Sequence, residues 1–127
     1  NNQNSNQKEK TPGGIVFLRT QDLDAVTEFY LNKVNCKLWL DQGACKILKH
    51  GNMLVGFCKS DTIDKEGVIT FFYPQREIVD SMYKKLQIVA EDKPKMNHKF
   101  RIYHFYARDP EGRSIEFQYF DHELKEY

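Results

Sequence analysis

Slid against itself by about 53 residues, the chain repeats, and this duplication narrows the available folds more than any other feature of the sequence. Ile15-Val16-Phe17-Leu18-Arg19 falls on Val68-Ile69-Thr70-Phe71-Phe72. Val26 falls on Val79, Phe29 on Met82 and Tyr30 on Tyr83. Each half opens with a short apolar strand and continues into an amphipathic helix. The first helix carries Leu23, Val26, Tyr30 and Val34 along one face, the second Val79, Met82, Tyr83 and Leu86. Asp22 is well suited to cap the first helix, and Gln75 is a poor cap for the second.

Three strand-like segments follow each helix. In the first half they are Cys36 to Leu40, Ala44 to Lys49 and Asn52 to Lys59, with His50-Gly51-Asn52 as a hairpin turn. In the second half they are a short stretch at Met96-Asn97-His98, then Phe100 to Arg108 and Arg113 to Phe120. The expected architecture is α+β, two βαβββ modules spanning 15–61 and 67–121. A disordered, Asn/Gln-rich tail is expected over 1–14 and a short C-terminal tail over 122–127.

The last two strands are joined by Asp109-Pro110-Glu111-Gly112, a turn in which proline presets φ and glycine supplies φ > 0. Beyond it, Ile115, Phe117 and Tyr119 alternate with Ser114, Glu116 and Gln118. Likewise Tyr103, Phe105 and Ala107 alternate with His104, Tyr106 and Arg108, and Val16 and Leu18 with Ile15, Phe17 and Arg19. The apolar sets should pack beneath the helices and leave the polar sets on a wet face. A carboxylate in mid-strand is costly unless that face is wet, paired or functional, so Glu116 is the residue to explain.

The repeat and the Asp109–Phe117 segment (D-P-E-G-R-S-I-E-F) resemble the vicinal oxygen chelate superfamily, which includes glyoxalase I, extradiol dioxygenases and the fosfomycin- and bleomycin-resistance proteins. The resemblance covers Ile15 to Phe120. It implies an open, U-shaped barrel of mixed sheet with helices outside and a ligand inside, and commonly a homodimer. It also implies a divalent metal held by four side chains, from the starts of strands 1 and 5 and from strands 4 and 8. Glu116 matches the strand 8 position, but Ile15 and Val68 stand at the strand 1 and strand 5 positions. Strand 4, Met53-Leu54-Val55-Gly56-Phe57-Cys58, has no carboxylate or imidazole. Aliphatic side chains cannot coordinate a cation, so the usual metal site is expected to be lost and no cofactor is expected.

The expected ligand-facing residues are Phe17, Arg19, Thr70, Phe72, His104, Tyr106 and Glu116, with Glu116 as the one candidate catalytic group. Arg19 has two readings: it neutralises Glu116 or another acid, or it holds a ligand carboxylate or phosphate. His50 and His122 read as exposed, and His98 as lying at a strand edge. Trp39 reads as core or dimer interface, and Lys84-Lys85 and Glu91-Asp92-Lys93 as solvated surface. Cys45 and Cys58 would fall opposite each other if Gly51-Asn52 is a two-residue turn, yet free thiols are the preferred reading of three cysteines without C-x-x-C spacing.

Formal net charge is +1 with acids and bases interspersed, which provides no footprint for nucleic acid or an anionic membrane. No apolar run reaches the length of a membrane span. Few cysteines and the lack of a leader-like start point to the cytoplasm, although a chain opening on Asn1 suggests a processed product. Three functions follow: a metal-free binder of a small aromatic or carboxylate-bearing molecule, an enzyme (lyase, isomerase or dioxygenase) using Glu116 as base or in an irregular metal site, or a module with a filled cavity.

Overall fold

A computed structural model describes residues 11–127. Two four-stranded mixed sheets, each backed by one helix, follow the repeat. In the first module β1 (Val16–Thr20) leads into α1 (Leu23–Asn32), followed by β2 (Lys37–Asp41), β3 (Cys45–His50) and β4 (Met53–Lys59). In the second, β5 (Val68–Phe72) leads into α2 (Arg76–Leu86), followed by β6 (Lys95–Asn97), β7 (Ile102–Arg108) and β8 (Ser114–Phe120). The sheet orders are β1-β4-β3-β2 and β5-β8-β7-β6, each with one parallel pair and two antiparallel pairs. The two-module α+β architecture is the one the repeat predicts. The tail expected over 1–14 lies largely outside the described residues; residues 11–15 and 121–127 hold no helix or strand.

Local chemistry explains the elements. Asp22 accepts a hydrogen bond from the Ala25 amide at 3.1 Å and caps α1, while Gln75 makes no side-chain cap. Gly112 takes φ 86°, and its amide closes the turn onto the Asp109 carbonyl at 3.0 Å. His50 pairs with Met53, so Gly51-Asn52 is indeed a two-residue turn.

One continuous core joins the modules. Val26, Tyr30, Leu48, Val55 and Phe57 from the first pack into the same cluster as Phe71, Val79, Leu86, Phe105, Ala107, Ile115 and Phe117 from the second. Stacked rings run from Tyr30 to Phe57, and from Phe71 through Phe117 to Phe105. Removing this much apolar surface from water is the main source of stability.

A buried polar clamp, built on the Asp109–Gly112 turn, crosses the same junction. Arg113, 2 % exposed, pairs with Asp109 at 3.0 Å and Glu111 at 2.9 Å, and donates to the carbonyls of Arg19 and Asp64. Tyr30 Oη donates to Asp109 at 2.8 Å. Glu111 accepts from the Thr20 hydroxyl and from the amides of Gln21 and Asp22. The turn between β7 and β8 thus grips the β1–α1 junction of the other module.

Three expectations need correction. Cys45 and Cys58 are not free thiols: they form a disulfide across directly opposed positions of β3 and β4, with Cα atoms 4.0 Å apart. Only Cys36 is free among the cysteines; burial pushes its thiol pKa up to about 12. His50 is not an exposed turn residue. Its ring sits edge-on to Phe71 and Tyr73, 4.9 and 5.5 Å away, and burial lowers its pKa. Of the two places expected for Trp39, the core is ruled out: it lies half exposed where the β2–β3 register shifts.

Candidate functional site

Strand period and register build the site. On the second sheet Phe105, Ala107, Ile115, Phe117 and Phe71 turn toward α2, which sends the alternate residues to the opposite face. Two rows result across β5, β8 and β7. Thr70, Glu116 and Tyr106 form one, and Phe72, Gln118 and His104 the other.

The Glu116 carboxylate accepts from Thr70 Oγ1 at 2.8 Å through Oε1, and Oε2 lies 2.6 Å from His104 Nδ1. Both partners are buried, Glu116 to 7 % exposure and His104 to 8 %. Charge-assisted hydrogen bonds hold the Glu116 carboxylate. Gln118 has no such partner. It is 9 % exposed, and its Oε1 is buried with no partner among the described residues. Burial and the neighbouring Glu116 carboxylate raise the pKa of the Tyr106 phenol, so the hydroxyl keeps its proton. His104, Phe105 and Tyr106 also line a cleft of about 190 Å³ together with Glu91, Asp92, Lys93 and Lys95. The Glu91-Asp92-Lys93 segment is solvent-exposed, as expected, and also lines that cleft. Gln118 was legible only as one member of the polar alternation in β8.

Four of the seven expected ligand-facing residues come together: Thr70, His104, Tyr106 and Glu116. Phe72 stands beside Gln118 and packs against Phe120 and Tyr127. Phe17 and Arg19 occupy the matching rows of the first sheet. Arg19 does not neutralise Glu116. Its guanidinium makes a two-point contact with Asp64, Nε at 3.0 Å and Nη2 at 2.9 Å, which raises the arginine pKa and lowers that of the aspartate. Arg108, on the neighbouring strand β7, does not neutralise Glu116 either; it pairs with Glu91 at 2.6 Å.

The donor set does not fit a divalent cation held by four side chains. Ile15 and Val68 are aliphatic, Gly56 faces the corresponding row of β4, and both Glu116 oxygens are engaged by Thr70 and His104. Among the described residues no three of His, Cys, Asp or Glu stand close enough to share an ion.

No family model and no curated protein matches the chain. Solved structures do. A lactoylglutathione lyase from Agrobacterium tumefaciens superposes with a TM-score of 0.68 at 21% identity, over 88% of this chain and 96% of that one. A glyoxalase/bleomycin resistance protein/dioxygenase from Alicyclobacillus acidocaldarius gives 0.70 at 19%, over 86% and 91%. A fosfomycin resistance protein from Listeria monocytogenes gives 0.71 at 16%, over 87% and 94%. At such identities the likeness concerns the backbone. The chain therefore has the paired-module fold of these glyoxalase/bleomycin resistance/dioxygenase proteins.

Proposed function

We propose that the protein binds a small molecule against the polar face of its second sheet, without the four-ligand metal that the family resemblance implies, and that it does so as a homodimer. The observation that carries this reading is the buried, unpartnered Oε1 of Gln118 beside the Glu116–His104–Thr70 network. A buried acceptor left without a donor costs about 1–3 kcal/mol, and a ligand hydroxyl or N–H would relieve that cost once the Gln118 side chain turns outward to meet it. Tyr106 and Phe72 add aromatic surface on the same face, which favours an aromatic ligand carrying a hydrogen-bond donor. Arg19 is already committed to Asp64, so a carboxylate on the ligand would meet His104 or Tyr106 instead. The apolar groups exposed on the edge strands β1 and β5, Val16, Phe17 and Val68, support association with a second copy.

The test is a thermal-shift screen of aromatic alcohols, amides and acids against the metal-stripped protein. A hit should raise Tm in wild type and lose that shift in Gln118→Leu, since only a ligand that binds the native state stabilises it. Hits that require added zinc or manganese would sink the metal-free reading. Sedimentation across a concentration series tests the dimer.

The enzyme reading also has one specific observation in its favour, the short contact between Glu116 and His104. It shifts the candidate base from the carboxylate to the imidazole.

A further inference from the structure

Strand β2 is an edge of the first sheet, and all five of its residues are exposed. Its centre is apolar: Leu38, Trp39 and Leu40 keep 47, 50 and 45 % of their surface in water. An edge strand presents unpaired N–H and C=O groups, and proteins blunt such edges by keeping them short or charged. The matching edge of the second sheet, β6, is blunted in this way. It has three residues, Lys95, Met96 and Asn97, and no exposed large apolar group.

The order of residues along β2 says what fits against it. The strand reads Lys37-Leu38-Trp39-Leu40-Asp41, a cation and an acid at equal distances from a central indole. Two copies laid antiparallel about a two-fold axis at Trp39 set Lys37 opposite the partner's Asp41 and Leu38 opposite the partner's Leu40. A parallel copy would set like charges together. Asp41 already holds Lys46 at 3.3 Å, so the charge pairing fixes direction more than strength. Leu38 pairs with Leu48 and Leu40 with Ile47, which leaves Trp39 without an opposite residue on β3. Such a bulge interrupts the outer ladder, and the contact therefore rests on side chains rather than on a continuous run of backbone bonds.

We propose that β2 is a self-association edge, at which two copies of the chain meet antiparallel about Trp39. This rests on the homodimer of the proposed function and names its contact, at the opposite edge of the sheet from β1. A contact centred on one short strand is small beside the roughly 800 Å² per partner of a standard interface, so the pair is weak and concentration-dependent.

Trp39 is the one tryptophan of the chain, so its fluorescence reads the contact directly. Sedimentation and emission are followed on the full chain over one concentration series. As the dimer forms, the emission should move to the blue and quenching by acrylamide should fall. Trp39→Lys should raise the dissociation constant by about tenfold or more, the loss of an interface anchor. Lys37→Glu, which faces the partner's Asp41 with a like charge, should raise it by a smaller factor, and added salt should narrow the gap to wild type. A dimer in which the indole stays as exposed as in the monomer overturns the β2 contact and leaves the homodimer standing. So does a dimer that survives Trp39→Lys but is lost in Val68→Lys. A chain that stays monomeric throughout the series overturns both.

Discussion

The two sheets present matched positions with opposite contents. On the first, Phe17, Gly56 and Ile47 form one row and Arg19, Cys58 and Cys45 the next. On the second, the same places hold Thr70, Glu116 and Tyr106, then Phe72, Gln118 and His104. Gly56 thus stands where Glu116 does. The Phe17 ring lies across it so closely that an added Cβ would meet the ring at 2.5 Å. Where the second sheet has His104 and Gln118, the first has a disulfide. One face is filled and covalently tied, while the other is polar and has an unmet acceptor. A duplicated scaffold can thus concentrate its chemistry in one copy while the other serves stability.

The largest effect should come from breaking the joint that holds the two faces together. Arg113→Met leaves Asp109 buried without its cation, and removing one partner of such a pair typically costs about 3–5 kcal/mol. A fall in Tm of roughly 10–20 °C is expected. Retention of wild-type Tm would show that the clamp contributes no net stability.

Cutting the covalent tie comes next. The disulfide closes a loop with a sequence separation of 13, so its loss should cost about 2–3 kcal/mol by loop entropy. Reductant should lower the Tm of wild type but not of Cys45→Ser/Cys58→Ser. Free thiol counts of three in the native protein would remove this distinction between the sheets.

Crowding the filled face should have a smaller effect. Gly56→Ala pushes the half-exposed Phe17 ring outward, at an expected cost of about 1–2 kcal/mol. The double change Phe17→Ala/Gly56→Ala should recover part of it. An additive double mutant would mean that ring and glycine are not coupled.

The mildest effect is one of pH. Burial pushes the Glu111 carboxyl up, but hydrogen bonds from Thr20, Gln21 and Arg113 outweigh it and leave the pKa lowered. Its contribution is therefore present above the unfolded pKa of about 4.3 and is lost as pH falls through the lower folded value. Glu111→Gln should flatten the acid limb of a Tm–pH curve; an unchanged limb would assign acid sensitivity to other groups.

The fold was largely legible from the sequence because it depends on periodicity. Strand alternation correctly put Phe105 and Phe117 beneath a helix and His104, Tyr106 and Glu116 on the opposite face. Thr70 joins them on that face through the parallel β5–β8 pairing. Gln118 was recognised as polar but not as unsatisfied, because satisfaction is a property of neighbours rather than of residue type. The free-thiol reading of Cys45 and Cys58 failed for a related reason. The turn placed them opposite each other, but cysteine counting outweighed geometry.

By itself, the sequence determined two βαβββ units, the caps and turns that bound them, and which side of each strand faces a helix. Those follow from interactions a few residues apart and from a period of two. Only the tertiary structure decided who partners whom. Arg19 reaches Asp64 and not Glu116, His104 reaches diagonally across the strand pair to Glu116, and Arg113 spans the two modules. The physical reason is range. A charge or thiol has several candidate partners in sequence, and only register and loop path bring one of them within bonding distance.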